Sequence, residues 1–192
     1  MLATELQVKL IEGDQARLRY STTSNVAAWT KWAEGLGHYR GPTTKDNFER
    51  VRLCWEQALM LDPASATVNA MLGFVYYGDA RFGWWDDRNT ALKRGSDFVD
   101  KALVLDANNA DAHMSRSLLL LVMRRHDDAV IHARKSVQFA PSSADAATFA
   151  SFVLASSGFP DEAVLQIEKA LTLSPNYPAN YLGHLGDRKS VV

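Results

Sequence analysis

Ser136-Val137-Gln138-Phe139-Ala140-Pro141 and Ala170-Leu171-Thr172-Leu173-Ser174-Pro175 are two copies of one short pattern. Ala58-Leu59-Met60-Leu61-Asp62-Pro63 and Ala102-Leu103-Val104-Leu105-Asp106-Ala107 are two more. The copies begin at 58, 102, 136 and 170, so the steps are 44, 34 and 34 residues. A recurrence of about 34 residues is the period of a helix–turn–helix repeat. Such hairpins hide their apolar faces against one another and leave a long surface open to a partner.

Working outward from these marks, each regular unit reads as a first helix, a tight turn, a second helix and a break. Helices are expected at about 65–77, 110–123 and 144–156, each followed by a partner at about 89–105, 127–139 and 161–173. Proline just beyond a helix stops it, because proline has no N–H and pushes the preceding residue out of the helical region. Asp127, Asp128, Asp161 and Glu162 stand where negative charge suits a helix N-terminus. The run Arg124-Arg125-His126-Asp127-Asp128 reads as a turn, with cations closing one helix and anions opening the next. Upstream, Asn25 or Ser24 caps a helix of about Val26 to Tyr39, Gly41-Pro42 ends it, and Thr44 or Asp46 opens another to about Leu61. Leu2, Leu6, Leu10 and Ile11 recur at helical spacing before Gly13. The expected organisation is an N-terminal helix and linker over 1–25, then an array over 26–192. Its units are about 26–63, 64–107, 108–141, 142–175 and a truncated 176–192. The long 44-residue step is expected to hold an inserted loop at 78–89, rich in Gly, Asp and aromatic residues.

The spacing and residues resemble the tetratricopeptide repeat (TPR). That pattern sets small residues at the point where the two helices of a hairpin cross. The matching pairs are Gly73 with Gly95, Ser117 with Ala129, and Ser151 with Ala163. The resemblance implies an all-α, TPR-like right-handed superhelical solenoid of antiparallel helix hairpins. It also implies a concave face lined by the first helices. Carried over by position, the partner-binding groove is Phe74, Tyr77, Met114, Leu118, Leu121, Thr148 and Phe152, with a further contact from Phe82, Trp84 and Trp85 in the long connection. Apolar, Met-containing and aromatic surfaces of this kind take helices or extended segments. The expected partner is a protein or peptide segment, the chain's own N-terminal helix being one candidate. The unit from Pro178 supplies a helix bearing Tyr181, Leu182 and Leu185 with no second helix after it, so self-association through that uncapped edge is expected.

Val8 to Leu18, the Thr/Ser/Asn linker, Ala28-Trp29, Phe82-Gly83-Trp84 and Asn176-Tyr177-Pro178 look like a narrower group. These are the C-terminal repeat regions of bacterial multidomain class III adenylate/guanylate cyclases. That resemblance implies a regulatory segment of a cytoplasmic signalling protein. A winged-helix transcriptional regulator and a stand-alone scaffold for complex assembly are the alternatives.

Chemistry is expected to be absent from these residues. No G-x-G-x-x-G, G-x-x-x-x-G-K-[ST] or G-x-S-x-G stretch occurs. The five histidines, His38, His113, His126, His132 and His184, read as surface or hydrogen-bonded side chains, so no catalytic residue, cofactor or metal is assigned. The paired metal-binding aspartates of a cyclase domain have no counterpart. With 21 basic and 22 acidic residues, nothing in the net charge draws the chain to nucleic acid. No run approaches the roughly 20 apolar residues of a membrane span. Cys54, the single cysteine, lies within an amphipathic helical pattern and reads as a buried structural thiol.

Overall fold

A computed structural model describes residues 25–175. The expected N-terminal helix and the Tyr181–Leu182–Leu185 edge lie outside the described residues. Eight helices follow one another, with no strand among the described residues. They are α1 (Val26–Tyr39), α2 (Lys45–Leu61), α3 (Ala66–Phe82), α4 (Arg88–Leu105), α5 (Ala110–Val122), α6 (His126–Phe139), α7 (Ala144–Ser156) and α8 (Pro160–Leu173).

Local chemistry sets most of the starts. The side chains of Asn25, Thr44, Ser65, Asp87, Asn109 and Ser143 accept from backbone N–H groups of the first turns of α1, α2, α3, α4, α5 and α7. Each such cap satisfies donors a helix leaves open, typically for about 1 kcal/mol. In α8, Pro160 stands at the first position, where its missing N–H costs nothing. Three first helices end in a left-handed residue: Gly83 (φ 67°), Arg124 (φ 60°) and Gly158 (φ 88°). Arg124 and Gly158 hold the same place in their repeats. The N–H of the next residue, Arg125 or Phe159, donates to the carbonyl of Leu120 or Leu154 at 2.9 Å. This is a Schellman closure.

The helices pair as four antiparallel hairpins: α1 with α2, α3 with α4, α5 with α6, and α7 with α8. Each later hairpin stacks on the one before, with α3 against α5 and α5 against α7. The small-residue pairs mark close crossings. A Cβ added at Gly73 would overlap the Val99 side chain and stand 3.2 Å from the Gly95 carbonyl oxygen. The Ser151 hydroxyl donates to the Ala163 carbonyl at 2.8 Å. Ser117 and Ala129 are both fully buried. The first hairpin uses the same device: a Cβ at Gly35 would collide with the Trp55 indole. That indole stacks on Trp32 at 4.9 Å and donates to the Trp32 carbonyl. Middle hairpins bury both sides, so α3 is enclosed without a break from Thr67 to Ala80.

The long step is not a 78–89 loop. Four of its ten extra residues lengthen α3, four lengthen α4, and two lengthen the connection, which is Gly83 to Asp87. One additional helical turn on each side, about 6 Å, makes α3/α4 an overhang beyond its neighbours. Gly78 lies inside α3, where space rather than backbone angle calls for glycine: a Cβ there would press on the Phe48 ring at 2.9 Å.

Candidate functional site

The overhang is organised by a buried carboxylate. Asp79 on α3 is fully enclosed, and its Oδ1 accepts from the backbone N–H groups of Trp84 (3.0 Å) and Trp85 (2.7 Å). Its Oδ2 accepts from the N–H of Asp86 at 3.1 Å. Three donors replace the water this charge gives up, as a buried carboxylate requires. The connection is thereby clamped to the helix it leaves. Asp87 then caps α4, accepting from the N–H groups of Asn89 and Thr90 and from the Thr90 hydroxyl, and these bonds hold its carboxyl below the usual range. Arg88 reaches across to donate to the Val122 carbonyl at 2.7 Å, closing the exposed end of α5.

With the backbone fixed, the aromatic side chains line up. Phe82 stacks on Trp84 (4.7 Å), Trp84 meets Trp85 (5.7 Å), and Trp84 also packs on Phe48 of α2 (5.0 Å). Arg81 donates to the Tyr77 hydroxyl at 2.7 Å, and its guanidinium carbon lies 4.9 Å from the Phe152 ring centre and 5.3 Å from that of Phe82. Arg81 is exposed and makes no ion pair among the described residues. Phe82 keeps 47% of its surface in solvent.

The groove residues divide in two. Phe74, Tyr77, Met114, Leu118 and Thr148 are buried in the free chain. Phe74 is the hub: its ring meets Tyr39 of α1, Phe48 of α2, Tyr77 of α3 and Phe149 of α7 at 5.1–6.0 Å. Contact from α3 to α7 passes over α5, and a small cavity of about 20 Å³ lies beside it, lined by Phe48, Phe74, Tyr77, Arg81, Phe82 and Phe149 among others. Burial pushes the Tyr77 hydroxyl up, with the Arg81 charge opposing. Leu121 and Phe152 are half-buried and remain accessible. Of the three aromatic residues expected in the long connection, Phe82 is instead the last residue of α3 and is exposed, while Trp84 and Trp85 lie in the connection, half-buried against the core. Asp79, Arg81, Tyr39, Phe48 and Phe149 were not among the expected site residues.

Two further clusters have chemical content. Arg52, Tyr76, Trp85, Asp86 and Arg94 line a recess of about 190 Å³. There Arg94 pairs with Asp86 at 2.9 Å and Arg52 with Glu56 at 3.2 Å, while Arg52 Nε and Trp85 Nε1 find no acceptor among the described residues. Elsewhere, Glu34 and His38 of α1 meet Cys54 of α2, one ligating atom from each lying within 4.8 Å of the others.

Among solved structures, the chain is similar to a thermophilic TPR protein from Thermus thermophilus, at 15% identity and a TM-score of 0.56, over 86% of this chain and 98% of that one. It is also similar to pilF of Pseudomonas aeruginosa, at 22% identity and a TM-score of 0.54, over 85% of this chain and 70% of that one. The fold is an all-α TPR-like solenoid. No family model and no curated protein matches the chain. No helix among the described residues is long and apolar enough to cross a membrane.

Proposed function

We propose that this TPR-like module is non-catalytic and recognises a peptide segment at the mouth of its concave side, under the overhang of α3/α4. The supporting observation is Arg81: an exposed cation without a carboxylate partner among the described residues, held between the rings of Phe82 and Phe152. A cation on an aromatic platform suits a segment that brings an acidic group next to an apolar side chain. Leu121 on the neighbouring helix extends the apolar part. Buried Phe74, Tyr77, Met114, Leu118 and Thr148 shape this mouth from beneath. The wider setting we propose is a cytoplasmic, regulatory segment of a cyclic-nucleotide signalling protein with a class III cyclase domain. It rests on residue likeness in Val8–Leu18, Phe82-Gly83-Trp84 and Asn176-Tyr177-Pro178. The reading frame upstream tests it: a winged helix there would favour the transcriptional regulator, and neither domain the stand-alone scaffold.

The site itself is tested by panning a random peptide library on the chain and measuring the selected peptides by calorimetry. Phe152→Ala and Arg81→Ala are each expected to weaken binding about tenfold or more, the loss of a contact worth over 1 kcal/mol. Val104→Ala, on the outer face of α4, is expected to leave it unchanged. Equal affinity for all three variants would remove the mouth from consideration.

A further inference from the structure

Three metal-ligating side chains of different chemistry meet where α1 crosses α2. Glu34 and His38 stand four residues apart, hence on one face of α1. Cys54 faces them from α2. A Cβ at Gly35 would lie 3.2 Å from the Cys54 Cβ, so the two helices approach closely at this level. Their ligating atoms fall within 4.8 Å of one another. Around a tetrahedral zinc-sized ion, with bonds of about 2.0–2.3 Å, ligand atoms sit roughly 3.5 Å apart. Glu34 is exposed and His38 half-buried, so their side chains have room to turn toward the thiol. The backbone at His38 is already fixed, because its carbonyl accepts from the Gly41 N–H at 2.9 Å and from Asn47 Nδ2 at 2.7 Å.

We propose that Glu34, His38 and Cys54 form a binding site for a divalent metal ion of the zinc class, which staples the first hairpin. Thiolate, imidazole and carboxylate together select borderline ions over Mg²⁺ or Ca²⁺. Glu34 is exposed and Cys54 keeps only 8% of its surface, so water takes the fourth position on the solvent side. Binding replaces the thiol proton: the S–H bond breaks, a metal–sulfur bond forms, and the proton leaves to solvent. It also displaces Lys31, which pairs with Glu34 at 2.9 Å. That pair is exposed on both sides and gives way at a cost of at most about 1 kcal/mol.

Cobalt(II) reports the site directly. Titrating the full chain with Co²⁺ near neutral pH is expected to produce a near-ultraviolet thiolate-to-cobalt band and visible absorption of tetrahedral intensity, both saturating at one equivalent. Zn²⁺ is expected to bleach them and to raise the thermal midpoint. Cys54→Ser is expected to abolish the sulfur band. Because that thiol is buried, Glu34→Gln and His38→Gln provide surface variants that keep the hairpin; each is expected to weaken Co²⁺ binding at least about tenfold. Absence of a band with the wild-type chain would overturn the proposal. So would a band whose affinity is the same in Glu34→Gln and His38→Gln as in the wild-type chain, which would mean a lone thiol.

Discussion

Three residues carry disproportionate weight, each for a different physical reason. Asp79 is a buried charge whose partners are all backbone N–H groups of one connection. Asp79→Ala leaves three part-buried donors without their acceptor, and a loss of about 2–4 kcal/mol in urea denaturation is expected. Asn should recover part of it, since one oxygen still accepts. Gly73 is fixed by space rather than by backbone angle. Gly73→Ala drives a methyl group into Val99 and is expected to cost about 1–3 kcal/mol. Gly37, also in a helix but with nothing within 4 Å of an added Cβ, is the control: Gly37→Ala should gain about 0.5–1 kcal/mol. Arg124 is the reverse case, an ordinary residue at a φ of 60° where the next repeat has Gly158 at 88°. Arg124→Gly should stabilise by about 0.5–1 kcal/mol, relief of left-handed strain outweighing the added chain freedom. These residues were legible in the sequence to different degrees. Gly73 and Gly95 were visible from repeat register. Asp79 was not, because an acid inside Gly-Asp-Ala-Arg-Phe-Gly reads as a solvated loop until the helix is seen to continue through it.

At the scale of elements, α5 and α6 are joined by a pair of histidines. His113 Nδ1 lies 2.8 Å from His132 Nδ1, and His113 Nε2 lies 3.1 Å from the Ala107 carbonyl. That carbonyl can only accept, so His113 carries its proton on Nε2, and His132 donates to the bare Nδ1 of His113. Protonating His113 would set two N–H groups head to head. Burial lowers both histidines, His132 to about 4, with the His113, Arg116 and Lys135 charges adding to the effect and Asp128 opposing it. The folded chain therefore holds fewer protons than the unfolded one. The histidine contribution is complete above the unfolded value near 6.5 and is lost as pH falls toward 4. The His132 ring is only half-buried, which reduces the loss to on the order of 1–2 kcal/mol. The urea midpoint of the wild-type chain should fall from neutral pH to about 4.5, and by less in His132→Gln; an equal fall in both would assign the effect to carboxylates instead. Helix boundaries were legible to within a residue or so where repeats are regular, since caps and prolines are local signals. The end of α3 was not, because it depends on Phe48 and Asp79 meeting partners that sequence order does not bring together.

For the whole molecule, periodicity announced the stack, since every hairpin must hide an apolar face against the next. It could not announce how tightly the stack curls. Phe74 touching Phe149 across an intervening helix draws the inner faces of α3 and α7 together, and among the residues expected to line the groove Leu121 and Phe152 stay half-buried rather than enclosed. The outer faces also expose apolar side chains, among them Met60, Val104, Ile131 and Leu165. Two surfaces thus compete for the role of recognition, and chemical-shift mapping decides between them. A library-selected peptide is titrated into isotope-labelled chain and backbone resonances are followed. Shifts gathered at Arg81, Phe82, Leu121 and Phe152 are expected; shifts gathered at Met60, Val104, Ile131 and Leu165, with the mouth silent, would contradict recognition under the overhang.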